Sequence, residues 1–176
     1  MNQDLRYPIG KFVRPKTLSA NDRARAIDAI AEAPAKLREA VRGLNAKQLA
    51  TPYRPDGWTV QQVVHHLPDS HMNAYVRFKL ALTEDAPTIK PYEEARWAGL
   101  RDAMDAPIET SLTLLEALHT RWVMLLRSLE ASDFPRTLRH PEMGVIDLDF
   151  LLAMYSWHGR HHVAHITSLR EREGWA

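Results

Sequence analysis

Cysteine is absent from the 176-residue sequence, which excludes disulfides, thiolate zinc sites, iron–sulfur clusters and a thiol nucleophile. Any metal site must therefore use nitrogen and oxygen ligands. An excess of one charge is also lacking, since 23 Lys and Arg residues face 22 Asp and Glu residues. This balance excludes the basic surface typical of nucleic-acid-binding proteins. No apolar run approaches the roughly 18 residues of a transmembrane span, so we expect no membrane insertion.

The length and composition indicate one globular domain over residues 1–176. The sequence is 45% apolar and 26% charged, as in ordinary folded proteins, and it has no internal repeat. Its first six residues, MNQDLR, do not follow the charged-then-apolar order of a signal peptide. We therefore expect a cytoplasmic protein.

Apolar residues recur at helical spacing in four long segments, which predicts an all-α fold, a four-helix bundle. An extended arm to residue 18, a short helical stretch over 93–104 and a small β-hairpin within 134–146 complete the prediction. The predicted long helices cover 19–43, 60–82, 105–129 and 148–172.

Capping signals mark the predicted helix starts. They are Ser19 with Asp22, Thr59 with Gln62, and either Asp147 or Asp149 for the last helix, which Gly174 ends. Two prolines interrupt the pattern. We expect Pro34 to kink the first helix or break it into two, and Pro68 to bend the second.

Seven of the nine histidines fall into two clusters, three in the second predicted helix and four in the last. Histidines four residues apart on a helix direct their rings to one place, as in zinc-binding helices. The last helix contains two such pairs, and the second helix offers a third ligand. The pairs are His158 with His162 and His161 with His165, and the possible third ligands are His65, His66 and His71.

Three neutral imidazoles with one open position form a known catalytic zinc arrangement. An ideal helical plot favours His71, His158 and His162, but Pro68 disturbs the phase of the second helix, so the ligand choice stays open. The isolated His119 and His140 are interpreted as hydrogen-bonded core residues.

Several segments taken together resemble the DinB superfamily, and within it the YfiT-like group of predicted metal-dependent hydrolases, some of which are bacillithiol S-transferases. The resemblance extends over nearly the whole chain. It rests on GWTVQQVVHHL at 57–67, DSHMN at 69–73 and WHGRHHVAHI at 157–166, with DLRYPIGKF at 4–12 and PTIKPY at 87–92.

The resemblance implies a DinB-like four-helix bundle that forms a homodimer and binds one divalent metal ion, zinc or nickel. The family pattern places the ligands at His66, His161 and His165. The ion would activate water or a low-molecular-weight thiol against a small-molecule electrophile. Pro68 departs from the pattern two residues after His66, where it should bend the helix beside that ligand.

Further polar residues near the motifs are candidates for orienting ligands or substrate. They are Asp69, Ser70, His71, Asn73, Tyr155 and His162. Arg160 is interpreted as a solvated surface residue. The alternative function is a non-catalytic metal-binding or stress-response module, which a closed fourth ligand would favour.

Overall fold

The computed structural model describes residues 4–175 and contains seven helices and one β-hairpin within them. Residues 1–3 and 176 lie outside the described range. Residues 1–3 belong to the N-terminal sequence from which the cytoplasmic location is expected, and residue 176 belongs to the predicted domain. No helix within 4–175 is long and apolar enough to cross a bilayer. The elements are α1 Ala20–Val41, α2 Ala46–Leu49, α3 Val60–Thr83, α4 Glu94–Trp97, α5 Arg101–Asp105, α6 Ile108–Arg127, β1 Thr137–His140, β2 Gly144–Asp147 and α7 Leu148–Glu173.

The predicted capping residues begin the helices as expected. The side chains of Ser19 and Thr59 each accept the backbone N–H three residues on, and the side chains of Asp22 and Gln62 accept in return. Asp147, rather than Asp149, caps α7. Gly174 ends α7 in the left-handed region, with φ of +64°.

Four helices, α1, α3, α6 and α7, form the bundle. Helix α1 packs chiefly against α6 and α7, and α3 packs chiefly against the same two helices. The consecutive long helices α1 and α3 are therefore diagonal to one another, as are α6 and α7. The predicted four-helix bundle is confirmed, with this connectivity as the new information.

The predicted β-hairpin is also present. Strands β1 and β2 pair antiparallel with Thr137 opposite Asp147 and His140 opposite Gly144. The backbone N–H of Ile89 bonds the carbonyl of Arg139, and the N–H of Arg139 bonds the carbonyl of Pro87. These bonds attach the proline-containing link to the hairpin, and both lie over one end of the bundle.

Two predictions about the helices are corrected, and one short helix is added. Helix α6 begins at Ile108 with Pro107 as its N-cap, whereas Asp105 ends the separate helix α5. The short helix α2 was not predicted. Of the two outcomes expected at Pro34, a kink or a break, the break does not occur, because α1 is one continuous helix. The carbonyl of Ile30, which loses its helical donor at Pro34, is bonded instead by Nδ1 of His119 at 2.7 Å.

The apolar core consists of two separate clusters stacked along the bundle. One contains Ile30, Phe78, Trp122 and Leu151, and the other contains residues such as Leu37. On each long helix, the residues between the two clusters lie at one level. That level contains most of the histidines.

Candidate metal centre

A layer of histidines from three helices separates the two apolar clusters. Helix α3 contributes His66 and His71, α6 contributes His119, and α7 contributes His158 and His162. Four of these side chains are buried and His158 is partly buried. Their rings contact one another in series from α6 across α3 to α7.

His66, His158 and His162 form a group whose ligand atoms all lie within 4.8 Å of one another. The Nε2 atoms of His66 and His158 are 3.3 Å apart. Two nitrogens that each bind a tetrahedral zinc ion at about 2.0–2.1 Å are separated by roughly 3.3–3.4 Å. The observed separation therefore fits two imidazoles of a shared metal site.

A chain of hydrogen bonds determines which nitrogen of His158 faces that group. His119 Nδ1 lies 2.7 Å from the carbonyl oxygen of Ile30, and His71 Nδ1 lies 2.7 Å from His119 Nε2. His71 Nε2 is in turn 3.1 Å from His158 Nδ1. We call His119, His71 and His158 the histidine relay.

The direction of the relay follows from its first acceptor. A carbonyl oxygen only accepts, so Nδ1 of His119 carries the proton. A neutral imidazole carries one N–H, so His119 accepts at Nε2 from Nδ1 of His71, and His71 accepts at Nε2 from Nδ1 of His158. At the end of the relay, Nε2 of His158 has a lone pair directed toward His66. Ligand histidines are commonly oriented by a hydrogen bond from their other nitrogen.

The relay argument requires neutral rings, and burial supplies that condition. Burial lowers the pKa of His66 and of His119 to about 4. It also lowers the pKa of His71, His158 and His162 well below the usual histidine range, with neighbouring histidines adding to the effect. These five imidazoles are therefore neutral near pH 7, the form that binds metal ions.

Buried nitrogens without partners provide a further test of the fit. Nδ1 of His162 is buried and has no hydrogen-bond partner among the described residues. A buried polar atom without a partner is costly unless a bound group satisfies the ring. The donor set of three imidazoles matches zinc, nickel and similar ions.

The two other residues of the predicted ligand set lie beside this group. His161 and His165 pack ring to ring with centroids 4.2 Å apart, and each has a buried Nδ1 without a partner. His165 Nε2 donates to the carbonyl of Arg6, 3.1 Å away, in the N-terminal arm. Within residues 4–175, the ligand atoms of His66, His158 and His162 lie within 4.8 Å of one another, whereas those of His66, His161 and His165 do not form such a group.

The choice of His66 over His65 agrees with the geometry. His65 lies against the start of α6, where its Nε2 donates to the carbonyl of Ala106 at the end of α5 and its Nδ1 accepts from the hydroxyl of Ser111 in α6. Both nitrogens are therefore occupied. His140 is a buried hydrogen-bonded residue, as interpreted, whose Nδ1 accepts the N–H of Glu142.

The other predicted candidates separate into distinct environments. Ser70 and Tyr155 line a cavity next to His158. Asp69 is half-buried, and burial raises its pKa to about 6. Asn73 donates to the carbonyl of Asp69 within its own helix, and the exposed Arg160 donates to the carbonyl of Ser156.

Two cavities flank the histidines. One, of about 330 Å³, lies between α3 and α7 beneath the hairpin and includes His158. The other, of about 380 Å³, includes His161, His162 and His165 together with Trp58 and the arm residue Tyr7. The histidine group is thus accessible to small molecules from two sides.

Sequence reasoning missed the roles of His119 and Pro34. His119 lies on a different helix from either cluster, but its position at the centre of the α6 apolar stripe was a usable signal. Pro34 could have been connected with an acceptor carbonyl at Ile30, because proline always frees the carbonyl four residues before it.

The bundle and its buried histidine group define a class of four-helix proteins with an imidazole-rich centre. The chain belongs to the DinB superfamily, whose model matches residues 29–166. It is 54% identical over 173 residues to a Bacillus mycoides protein named "Putative metal-dependent hydrolase", covering 98% of this chain and 99% of that one. A Bacillus cereus protein of the same name is 54% identical over 172 residues, with the same coverage.

A solved structure gives the same result. The chain matches YfiT from Bacillus subtilis, described as a probable metal-dependent hydrolase with an unusual four-helix bundle topology. The TM-score is 0.95 at 48% identity, covering 98% of this chain and 99% of YfiT. The predicted family and bundle are therefore confirmed.

Proposed function

We propose that the protein is a metal-dependent enzyme whose ion is held by His66, His158 and His162. The observation that carries the proposal is the 3.3 Å separation of the Nε2 atoms of His66 and His158. The relay supports it, because it directs an unprotonated nitrogen of His158 to the same place. The names of the relatives support a hydrolytic reaction.

A divalent ion bound by three imidazoles lowers the pKa of a coordinated water or thiol, so that it becomes a nucleophile near neutral pH. The residues of this chain hold the ion, keep the ligand rings neutral and surround them with apolar side chains. Hydrolysis and transfer of a low-molecular-weight thiol to a small electrophile both need such a nucleophile. Both chemistries therefore belong to the proposal, with hydrolysis first because of the relatives.

Alanine variants of five histidines test the ligand set. We expect the purified, untagged protein to contain near-equimolar zinc or nickel by elemental analysis. The variants H66A, H158A and H162A should lose the metal on dialysis, whereas H161A and H165A should keep it. Their circular dichroism spectra distinguish ligand loss from unfolding.

The set predicted from the family pattern, His66 with His161 and His165, makes the opposite prediction for the α7 variants. Metal loss in H161A and H165A with retention in H158A and H162A would establish that set instead. If no variant and no wild-type preparation binds metal under any loading condition, the bundle is a binding module without this chemistry.

Three finer properties stay predictions, the metal and the homodimer from the resemblance and the cytoplasmic location from the sequence composition. Zinc and nickel are both suited to imidazole ligands, so the metal must be identified in protein purified from cells. The predicted homodimer is tested by light scattering of the purified protein. The predicted cytoplasmic location is tested by cell fractionation.

A further inference from the structure

The cavity between α3 and α7 reaches the proposed metal centre at His158, which is part of its lining. It encloses about 330 Å³ and is covered by residues 91–94 and by the β-hairpin. His158 lies at one end, and Arg77 of α3 lies in the same lining. The volume is within the range of small-molecule sites.

Arg77 is a buried cation without a carboxylate partner. Its residue surface is 8% exposed, and no carboxylate oxygen among residues 4–175 comes within ion-pair distance of it. Its Nη1 donates to the hydroxyl of Tyr155 at 3.4 Å, which is a long hydrogen bond. A guanidinium offers five N–H donors, so most of its hydrogen-bonding capacity is unused.

Such an arrangement is unfavourable unless water or an anion in the cavity satisfies the free N–H groups. Buried charges are normally paired, and removing one partner of a buried pair is strongly destabilising. Guanidinium groups pair best with planar oxyanions, which they bind through two parallel hydrogen bonds. A ligand carboxylate in the cavity would complete the pairing of Arg77.

A second polar group, the hydroxyl of Tyr92, lies in the same lining. It is buried beside the hydroxyl of Ser70 and makes no hydrogen bond of ordinary geometry among the described residues. It lines the cavity together with Arg77 and can donate to a second oxyanion or accept from the ligand.

The rim limits the charge of the ligand. Glu93, Glu94 and Glu142 line the cavity and are exposed. Three carboxylates at the entrance repel any anion, and they repel a doubly charged one such as a phosphate monoester about twice as strongly as a single carboxylate. The apolar side chains of Phe150, Leu151 and Met154 in the lining favour a ligand with an apolar body.

We propose that this cavity is the substrate site and that Arg77 anchors a single carboxylate of the substrate, whose reacting part extends to His158. The part of this proposal that places the reacting group of the substrate at His158 rests on the proposed metal-dependent function. The carboxylate subsite itself depends only on Arg77 and the cavity.

The test compares binding of 3-phenylpropanoate with that of its neutral isostere 3-phenylpropanamide. Isothermal titration and ligand-observed NMR are made at constant ionic strength, on the protein as purified and after metal removal. The wild type should bind the carboxylate at least about tenfold more tightly than the amide, in both preparations, because a hydrogen-bonded charge pair is lost with the amide. R77M should abolish this preference, and R77K should retain part of it.

The matched control is R121M, which removes an exposed arginine on α6 away from the cavity. It should bind both ligands like the wild type. If R77M does not fold, a saturable shift of the Arg77 Nε–H resonance in the wild type, caused by the carboxylate and not by the amide, gives the same answer.

Three results would overturn the proposal: equal affinity of the wild type for both ligands, a preference that R77M retains, or no saturable binding of either ligand. Elemental analysis of the same samples separates this outcome from failure of the proposed function. If the protein contains metal but shows no preference for the carboxylate, only the proposed carboxylate subsite is refuted. If it prefers the carboxylate but contains no metal, only the proposed metal-dependent function is refuted.

Discussion

Pro34 and His119 are coupled at the scale of single residues. Pro34 has no N–H, so the carbonyl of Ile30 is available to His119 on another helix at 2.7 Å. Through His71, this bond determines the protonated nitrogen of His158. Pro34, a residue type usually regarded as a helix defect, is therefore linked through three histidines to the proposed metal centre.

The variant P34A should weaken metal binding while leaving the helix at least as stable. The new N–H of residue 34 competes with His119 for the carbonyl of Ile30. His158 then has a weaker preference for the tautomer protonated at Nδ1. We expect metal affinity to fall about tenfold, the lower end for residues that orient a ligand. Competition with a chelator measures the affinity, and urea unfolding of the metal-free protein measures stability.

A double-mutant cycle with H119F supplies the control. If Pro34 acts through His119, then P34A has no further effect on metal affinity in the H119F background. Additive losses in the double variant would show that Pro34 acts by another route.

At the scale of elements, the contact between α1 and α7 depends on a glycine. A Cβ atom added at Gly159 would lie 3.2 Å from the Cβ of Ala33 and 3.5 Å from Cε1 of His71. The Cβ of Ala33 is fixed to the backbone of α1, so it can move only with its helix. Gly159 thus permits close approach of α1 and α7 at the level of the histidine layer.

We expect G159A to lower the free energy of unfolding by about 1 kcal/mol. Overpacking costs about 1–3 kcal/mol, and the better helix propensity of alanine returns about 1 kcal/mol. Urea denaturation measures the difference. G99A is the comparison, because its Cβ would meet its nearest atom at an ordinary 3.6 Å and should change stability little. A G159A protein as stable as the wild type would mean that α1 and α7 separate without cost.

At the scale of the whole molecule, a layer of neutral histidines makes stability depend on pH. The folded pKa values of His66 and His119 are about 4, against 6.5 for an unperturbed histidine. Between these values the unfolded chain binds more protons than the folded chain, so acidification favours unfolding. Asp69, with a folded pKa raised to about 6, opposes this trend but is one group against several.

The metal-free protein should therefore lose stability as the pH falls from about 6.5 toward 4. Each such histidine contributes up to about 1.4 kcal/mol per pH unit within that window. Urea unfolding at pH 7, 6 and 5 in the presence of a chelator measures the slope. A free energy of unfolding that is constant across this window would show that the histidines are not kept neutral by burial.

Much of the architecture was accessible from the sequence because it depends on local rules. The capping boxes at Ser19 and Thr59, the left-handed Gly174 and the hairpin before α7 follow from the preferences of neighbouring residues. The family motifs and the concentration of histidines in two helices predicted a metal centre between α3 and α7.

The tertiary structure alone brought a particular set of rings together. His158 with His162 and His161 with His165 differ by three positions, or about 60° around α7, and a buried helix face is wider than that. The helical plot therefore favours His158 and His162 by only a small angle, whereas the packing of α7 against α3 brings this pair to His66. The relay and the unpaired Arg77 likewise arise from contacts between helices distant in sequence, which no local pattern encodes.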